Sequence, residues 1–128
     1  MGANMATNLL KTFKDVYVYD VVDSSVVALE QKGAKRCVSV EALAATCSTI
    51  ITMLPATQHV VGILNGPQGI FANAKPNTLI IDCSTIDPVI SKELNAAAAA
   101  AGHRMVDAPV RRTALWEIAV TGGIICLV

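Results

Sequence analysis

Residues 49 to 54 read T-I-I-T-M-L, a strand-length stretch without a charge, and Pro55 follows directly. A strand with one wet face alternates apolar and polar side chains. An unbroken run instead fits a strand covered on both faces, the habit of parallel sheets flanked by helices. The rest of the chain keeps the same rhythm. Residues 16–20 (V-Y-V-Y-D), 35–38, 78–82 and 103–106 read as further strands. Helices are expected over the first eleven residues, where Met5, Leu9 and Leu10 form the stripe, and over 23–32, 39–45 and 88–101, with a helical turn at 59–64. Asp23 or Ser24 is the cap of the second helix and Gly33 its left-handed stop; Ser39 caps the third, and Gly102 closes the alanine-rich last one. Alternating elements of this kind predict an α/β chain with a doubly wound parallel sheet.

Composition narrows the partners. At 128 residues the chain holds one domain at most. Ten basic residues balance ten acidic ones, and no like-charge run is longer than Lys35-Arg36 or Arg111-Arg112, which argues against nucleic acid and against an anionic membrane. The longest apolar tail, 118–128, is too short to cross a bilayer and is broken by Thr121-Gly122-Gly123. The N-terminus lacks a signal pattern, and with Arg36 as the first arginine no intact transit peptide is read. Cys37, Cys47, Cys83 and Cys126 show no C-x-x-C spacing, so reduced thiols in a reducing compartment are expected and a metal site is not.

In dinucleotide-binding folds a strand leads into G-x-G-x-x-G, and an acidic residue about 20 positions on holds the adenosine ribose. Asp20 stands 18 residues after Gly2, at the end of V-Y-V-Y-D. By itself an aspartate there reads equally as a helix cap. Four stretches together say more: M-G-A-N-M-A-T-N-L (1–9), I-I-T-M-L-P (50–55), L-I-I-D-C-S-T-I-D-P (79–88) and D-A-P-V (107–110). In this order and spacing they resemble the 3-hydroxyisobutyrate dehydrogenase family of β-hydroxyacid dehydrogenases. Gly2 matches the third glycine of its fingerprint. The resemblance therefore implies a Rossmann-type domain that lacks its first strand and first two glycines, as though cut at the N-terminus.

The resemblance also implies an NAD site. Met1, Gly2, Asn4 and Met5 would lie by the phosphates at the start of the first helix. Tyr19 and Asp20 would lie at the ribose, where a carboxylate repels the extra phosphate of NADP. Leu54, Pro55 and His59 would line the cofactor, and Thr85 would approach the nicotinamide, with Ser84 on the substrate side. His59 reads equally as an exposed helix residue. Ser84 and Thr85 also read as caps for the helix that starts near Pro88.

After Val110 the family's S-G-G substrate segment does not follow. Arg111-Arg112-Thr113 stands there, so residues 1–110 read as an incomplete dinucleotide-binding domain and 111–128 as a divergent tail. Arg111 and Arg112 are read as a solvated pair rather than a carboxylate clamp; with Glu117 they are the tail's only charged candidates. Lys11, Lys14, Lys32, Lys35, Lys75 and Lys92 do not match the family's catalytic lysine, and its all-α domain, which builds homo-oligomers, has no counterpart. The expected function is thus the NAD-binding part of an enzyme oxidising 3-hydroxyisobutyrate in valine breakdown, mitochondrial if eukaryotic and otherwise cytoplasmic, with this fragment inactive. A sibling reductase of tartronate or succinic semialdehyde is the alternative enzyme, and a non-catalytic nucleotide-binding or interaction remnant the alternative class. In the 3-2-1-4-5-6 strand order the missing strand is central. The one spare segment of strand character, 124–128, is expected to fill that slot or to add at an edge.

Overall fold

β3 (Thr49–Met53) lies inside a six-stranded sheet with a neighbour on each side, as its unbroken apolar run requires. The computed structural model describes residues 1–110 and the strand at 123–127. In chain order the elements are α1 (Gly2–Leu9), β1 (Val16–Tyr19), α2 (Asp23–Glu30), β2 (Lys35–Arg36), α3 (Val40–Thr46), β3, α4 (Thr57–Leu64), α5 (Ile70–Asn73), β4 (Leu79–Asp82), α6 (Pro88–Ala100), β5 (Arg104–Asp107) and β6 (Gly123–Leu127). The strands stand in the order β2-β1-β6-β3-β4-β5. β1 and β2 are parallel, as are β3, β4 and β5.

Ile50 and Ile51 are adjacent in β3 and therefore point to opposite faces of the sheet. Ile50 joins Leu43, Val60, Leu64, Ile70 and Ile80 under α3, α4 and α5, whereas Ile51 joins Ala6, Val16, Val18, Val26 and Leu29 under α1 and α2. Full burial of such a side chain stabilises by about 1.5–3 kcal/mol. A charge anywhere in the middle of β3 would forfeit that on one face or the other.

The element ends show which local signals prevailed. Gly33 and Gly102 take positive φ (102° and 81°) at the ends of α2 and α6, as expected. Ser39 caps α3 by accepting from the Ala42 N–H at 3.1 Å. The cap expected at Asp23 or Ser24 falls elsewhere: Val22 is the N-cap of α2, without a side-chain bond. Asp20 accepts from Val22 N–H at 2.9 Å, while the Asp23 carboxylate turns to Arg36. Likewise Asp87 caps α6, not Ser84 or Thr85. The turn at 59–64 extends to two helical turns, and α5 forms in a stretch to which the sequence reading assigns no element, anchored by the buried Ile70.

β6 occupies the slot between β1 and β3, antiparallel to both. Ile125 stands opposite Val18 on one side and Ile51 on the other, and Gly123 opposite Met53. Of the two expected positions the slot is the one observed, over 123–127, and the sheet is mixed rather than wholly parallel. Arg111, Arg112 and Glu117 lie outside the described residues.

Cys37 and Cys83 are free. Burial raises both thiols above the ordinary range, and the charge of Asp82 raises Cys83 further. Neither is a ready nucleophile. Cys47 is disulfide-bonded, against the expectation of reduced thiols throughout. Sequence spacing detects close motifs and is blind to a pairing created by tertiary placement. Among the described residues no helix is long and apolar enough to cross a membrane, and no cluster of His, Cys, Asp or Glu could hold a metal ion.

Candidate functional site

Because β1, β3, β4 and β5 share one direction, their carboxyl ends meet at one edge of the sheet. From β1 the chain winds outward to β2 across one face; from β3 it winds the other way to β4 and β5 across the opposite face. The reversal falls between β1 and β3. Open α/β sheets bind ligands in the crevice outside the strand ends at such a reversal.

Asp20 arrives at this edge directly after β1, half-buried, with Oδ1 spent on Val22 N–H. Tyr19, before it, packs toward the α3 side. Leu54, half-buried, and Pro55, exposed, follow β3; Thr85, exposed, follows β4. α1 connects through residues 10–15 to the foot of β1, so its eight residues, about 12 Å long, carry Gly2 back toward the same edge. Gly2 is buried in its first turn; Met1, the N-cap, lends its carbonyl to the Asn4 and Met5 N–H groups (3.1 and 3.2 Å). Asn4 is exposed, and Met5 packs into the core under α1 and α2. His59 is exposed on α4.

Ser84 is fully buried, and its hydroxyl accepts from the Leu54 N–H at 2.9 Å. It is closed to a substrate and ties two strand ends together instead. Asp82, also fully buried, completes the tie: its Oδ1 accepts from Thr52 Oγ1 at 2.8 Å and from Ser84 N–H at 3.1 Å. Asp82 Oδ2 is buried without a partner among the described residues. This clasp under Leu54-Pro55 and Ser84-Thr85 went unread in the sequence. Its signal was a polar residue at one register position in two apolar strands, Thr52 opposite Asp82.

Beside Tyr19 opens a cleft of about 530 Å³ between the end of β1, the first turn of α3 and the α4–α5 loop, lined among others by Ser39, Glu41, Gly62 and Gly69. Its size lies within the common range for small-ligand pockets, about 300–1,000 Å³. Gly69 shapes one wall. A Cβ there would stand 2.2 Å from the Asn65 carbonyl oxygen, a backbone atom that cannot swing aside. Gly69→Ala should therefore cost about 2–4 kcal/mol and lower the melting temperature by roughly 10 °C. Gly62→Ala lines the same cleft but adds its methyl to open space in a helix. It should be neutral or stabilising by up to about 1 kcal/mol. Thermal melts of the two variants check the contrast.

Over residues 1–124 the chain matches the family described as the NAD binding domain of 6-phosphogluconate dehydrogenase, a match that runs past Val110 into the stretch where no likeness is legible. It is 43% identical over 110 residues to the NAD-dependent L-serine dehydrogenase of Pseudomonas aeruginosa, covering 86% of this chain and 37% of that protein. The 3-hydroxyisobutyrate dehydrogenase of the same organism is 40% identical over 110 residues, with the same coverage of 86% and 37%. The solved structure of the Mycobacterium tuberculosis 3-hydroxyisobutyrate dehydrogenase with L-serine superposes with a TM-score of 0.76 at 31% identity, over 88% of this chain and 38% of that one. The chain spans little more than a third of the length of these relatives.

Proposed function

We propose a function for a chain that belongs to the family of the NAD-binding domain of 6-phosphogluconate dehydrogenase: it is the cofactor-holding part of a dehydrogenase for a small 3-hydroxy acid. One observation carries the reading. Asp20, Leu54-Pro55 and Thr85 reach the carboxyl ends of three strands around the point where the winding reverses. The residues fit a dinucleotide. Asp20 retains Oδ2 for a ribose hydroxyl after Oδ1 is spent on Val22. The first turn of α1 offers N–H groups to phosphate at the buried Gly2, and the cleft beside Tyr19 suits the adenosine half.

Bound NAD would supply the hydride acceptor. This chain's residues bind and orient it: Asp20 at the ribose, Met1, Gly2 and Asn4 around the phosphates, Tyr19, Leu54, Pro55 and His59 along its length, and Thr85 toward the nicotinamide. Met5, packed into the core, holds the first turn of α1 in place. Serine and 3-hydroxyisobutyrate share a carboxylate and a 3-hydroxyl and differ at C2, so the substrate class is a 3-hydroxy acid. The stretches I-I-T-M-L-P and L-I-I-D-C-S-T-I-D-P support the 3-hydroxyisobutyrate branch, hence valine breakdown, a mitochondrial matrix setting in a eukaryote, and a homo-oligomeric complete enzyme.

Calorimetric titration of the purified 128-residue chain with NAD and NADP tests the reading. NAD should bind in preference to NADP. Asp20→Ala should shrink that preference by about tenfold, the worth of one charge-assisted hydrogen bond. An unchanged NAD:NADP ratio would remove Asp20 from the site, and a parent chain that binds neither nucleotide would overturn the function.

A further inference from the structure

Arg36 ends β2, the outermost strand, in register with Val18 of β1. Paired residues of neighbouring strands point to the same face, here the one covered by α1 and α2. There the guanidinium holds the Asp23 carboxylate at the start of α2 and stands 4.0 Å from Glu30 in its last turn. Asp20 lies two residues beyond Val18. Arg36 is thus one strand across and two residues short of it, about 4.8 Å and 6.6 Å by strand geometry. The guanidinium is drawn forward to Asp23, three residues after the carboxylate assigned to the ribose.

We propose that the Arg36–Asp23 pair discriminates between the two nicotinamide dinucleotides. Asp23 occupies a cation near the ribose 2′ position and adds its negative charge to that of Asp20. The proposal rests on the reading of Asp20 given above. A guanidinium is the side chain best matched to a phosphate, through two parallel hydrogen bonds. Engaged by Asp23, Arg36 leaves a 2′-hydroxyl undisturbed. A 2′-phosphate must first draw Arg36 off Asp23 and then lie beside the Asp20 and Asp23 carboxylates, whose charges oppose its own. The side chains are well exposed, Arg36 at 41% and Asp23 at 69%. Exposed pairs of this kind contribute little to stability, so the pair can be broken without disturbing the fold.

The test is titration of the 128-residue chain with NAD and with NADP, alongside thermal melts, for the parent, Asp23→Asn, Arg36→Ala and the double variant. Removing one negative charge about 7 Å from a dianion in water should by itself tighten NADP binding about fivefold to tenfold, with the released guanidinium adding to that gain, and should leave NAD within about twofold. The gain should shrink at high salt and fall when Arg36→Ala is added, because the freed guanidinium is then missing while the lost repulsion remains. Melting temperatures should stay within a few degrees of the parent, about what an exposed pair allows. Unchanged NADP affinity in Asp23→Asn, or a gain just as large in the Arg36→Ala background, would overturn the proposal. Failure of the underlying reading looks different: the parent then binds neither nucleotide.

Discussion

Deletion of residues 122–128 should lower the melting temperature more than any single core substitution and drive the chain into aggregates. β6 is paired along both sides: Val16 to Tyr19 on one and Thr49 to Met53 on the other stand opposite its residues. Removing it unpairs the inner edges of β1 and β3 together, and these carry the buried Val16, Val18, Ile50 and Ile51. Each ladder bond is worth about 0.5–1.5 kcal/mol net. The total loss is on the order of 5–10 kcal/mol, which is comparable with the whole stability of a small domain. Two open apolar edges are templates for other chains. Ile125→Pro separates strand loss from loss of length, because proline cannot keep the ladder between Val18 and Ile51. Melting curves and size-exclusion profiles of both variants decide the matter. Parent-like behaviour in both would mean that 123–127 does not hold the slot in solution.

The slot itself was legible before its occupant's direction was. The unbroken run at 49–54 demands two neighbours, and the first strand that the family resemblance implies to be missing leaves an empty place beside it. The direction of G-I-I-C-L was not legible, because a short apolar run has the same pattern read either way. At the site, the end of β1 was legible from V-Y-V-Y-D, but the choice between Asp20 and Asp23 as local cap was not. Both carboxylates lie within reach of the same turn. The outcome depends on Arg36, sixteen residues beyond Asp20 in sequence and a neighbour only once β1 and β2 pair. Ser84 shows the same limit. A serine at a strand end reads as a ligand or a cap, and only the pairing of β3 with β4 brings Leu54 N–H to its hydroxyl.

Asp82→Ala should be the most damaging single change at the crevice, and Asp82→Asn nearly silent. The alanine leaves the Thr52 hydroxyl and the Ser84 N–H without their acceptor in a site closed to water. Each stranded buried group costs about 1–3 kcal/mol, so a loss of about 3–4 kcal/mol and a fall of roughly 10–15 °C in melting temperature are expected. Asparagine keeps an oxygen where Oδ1 accepts both bonds and puts a donor in place of the unpartnered Oδ2. Its cost should stay within about 1 kcal/mol. Ser84→Ala isolates the upper half of the clasp, since it removes the acceptor of Leu54 N–H while leaving Asp82 bound to Thr52. Hydrogen exchange at the Leu54 amide reads the clasp directly. It should quicken in Ser84→Ala and Asp82→Ala and stay slow in Asp82→Asn. Equal protection in all three would mean that the strand pairing alone fixes Leu54-Pro55, and that the buried carboxyl fills space without positioning the crevice above it.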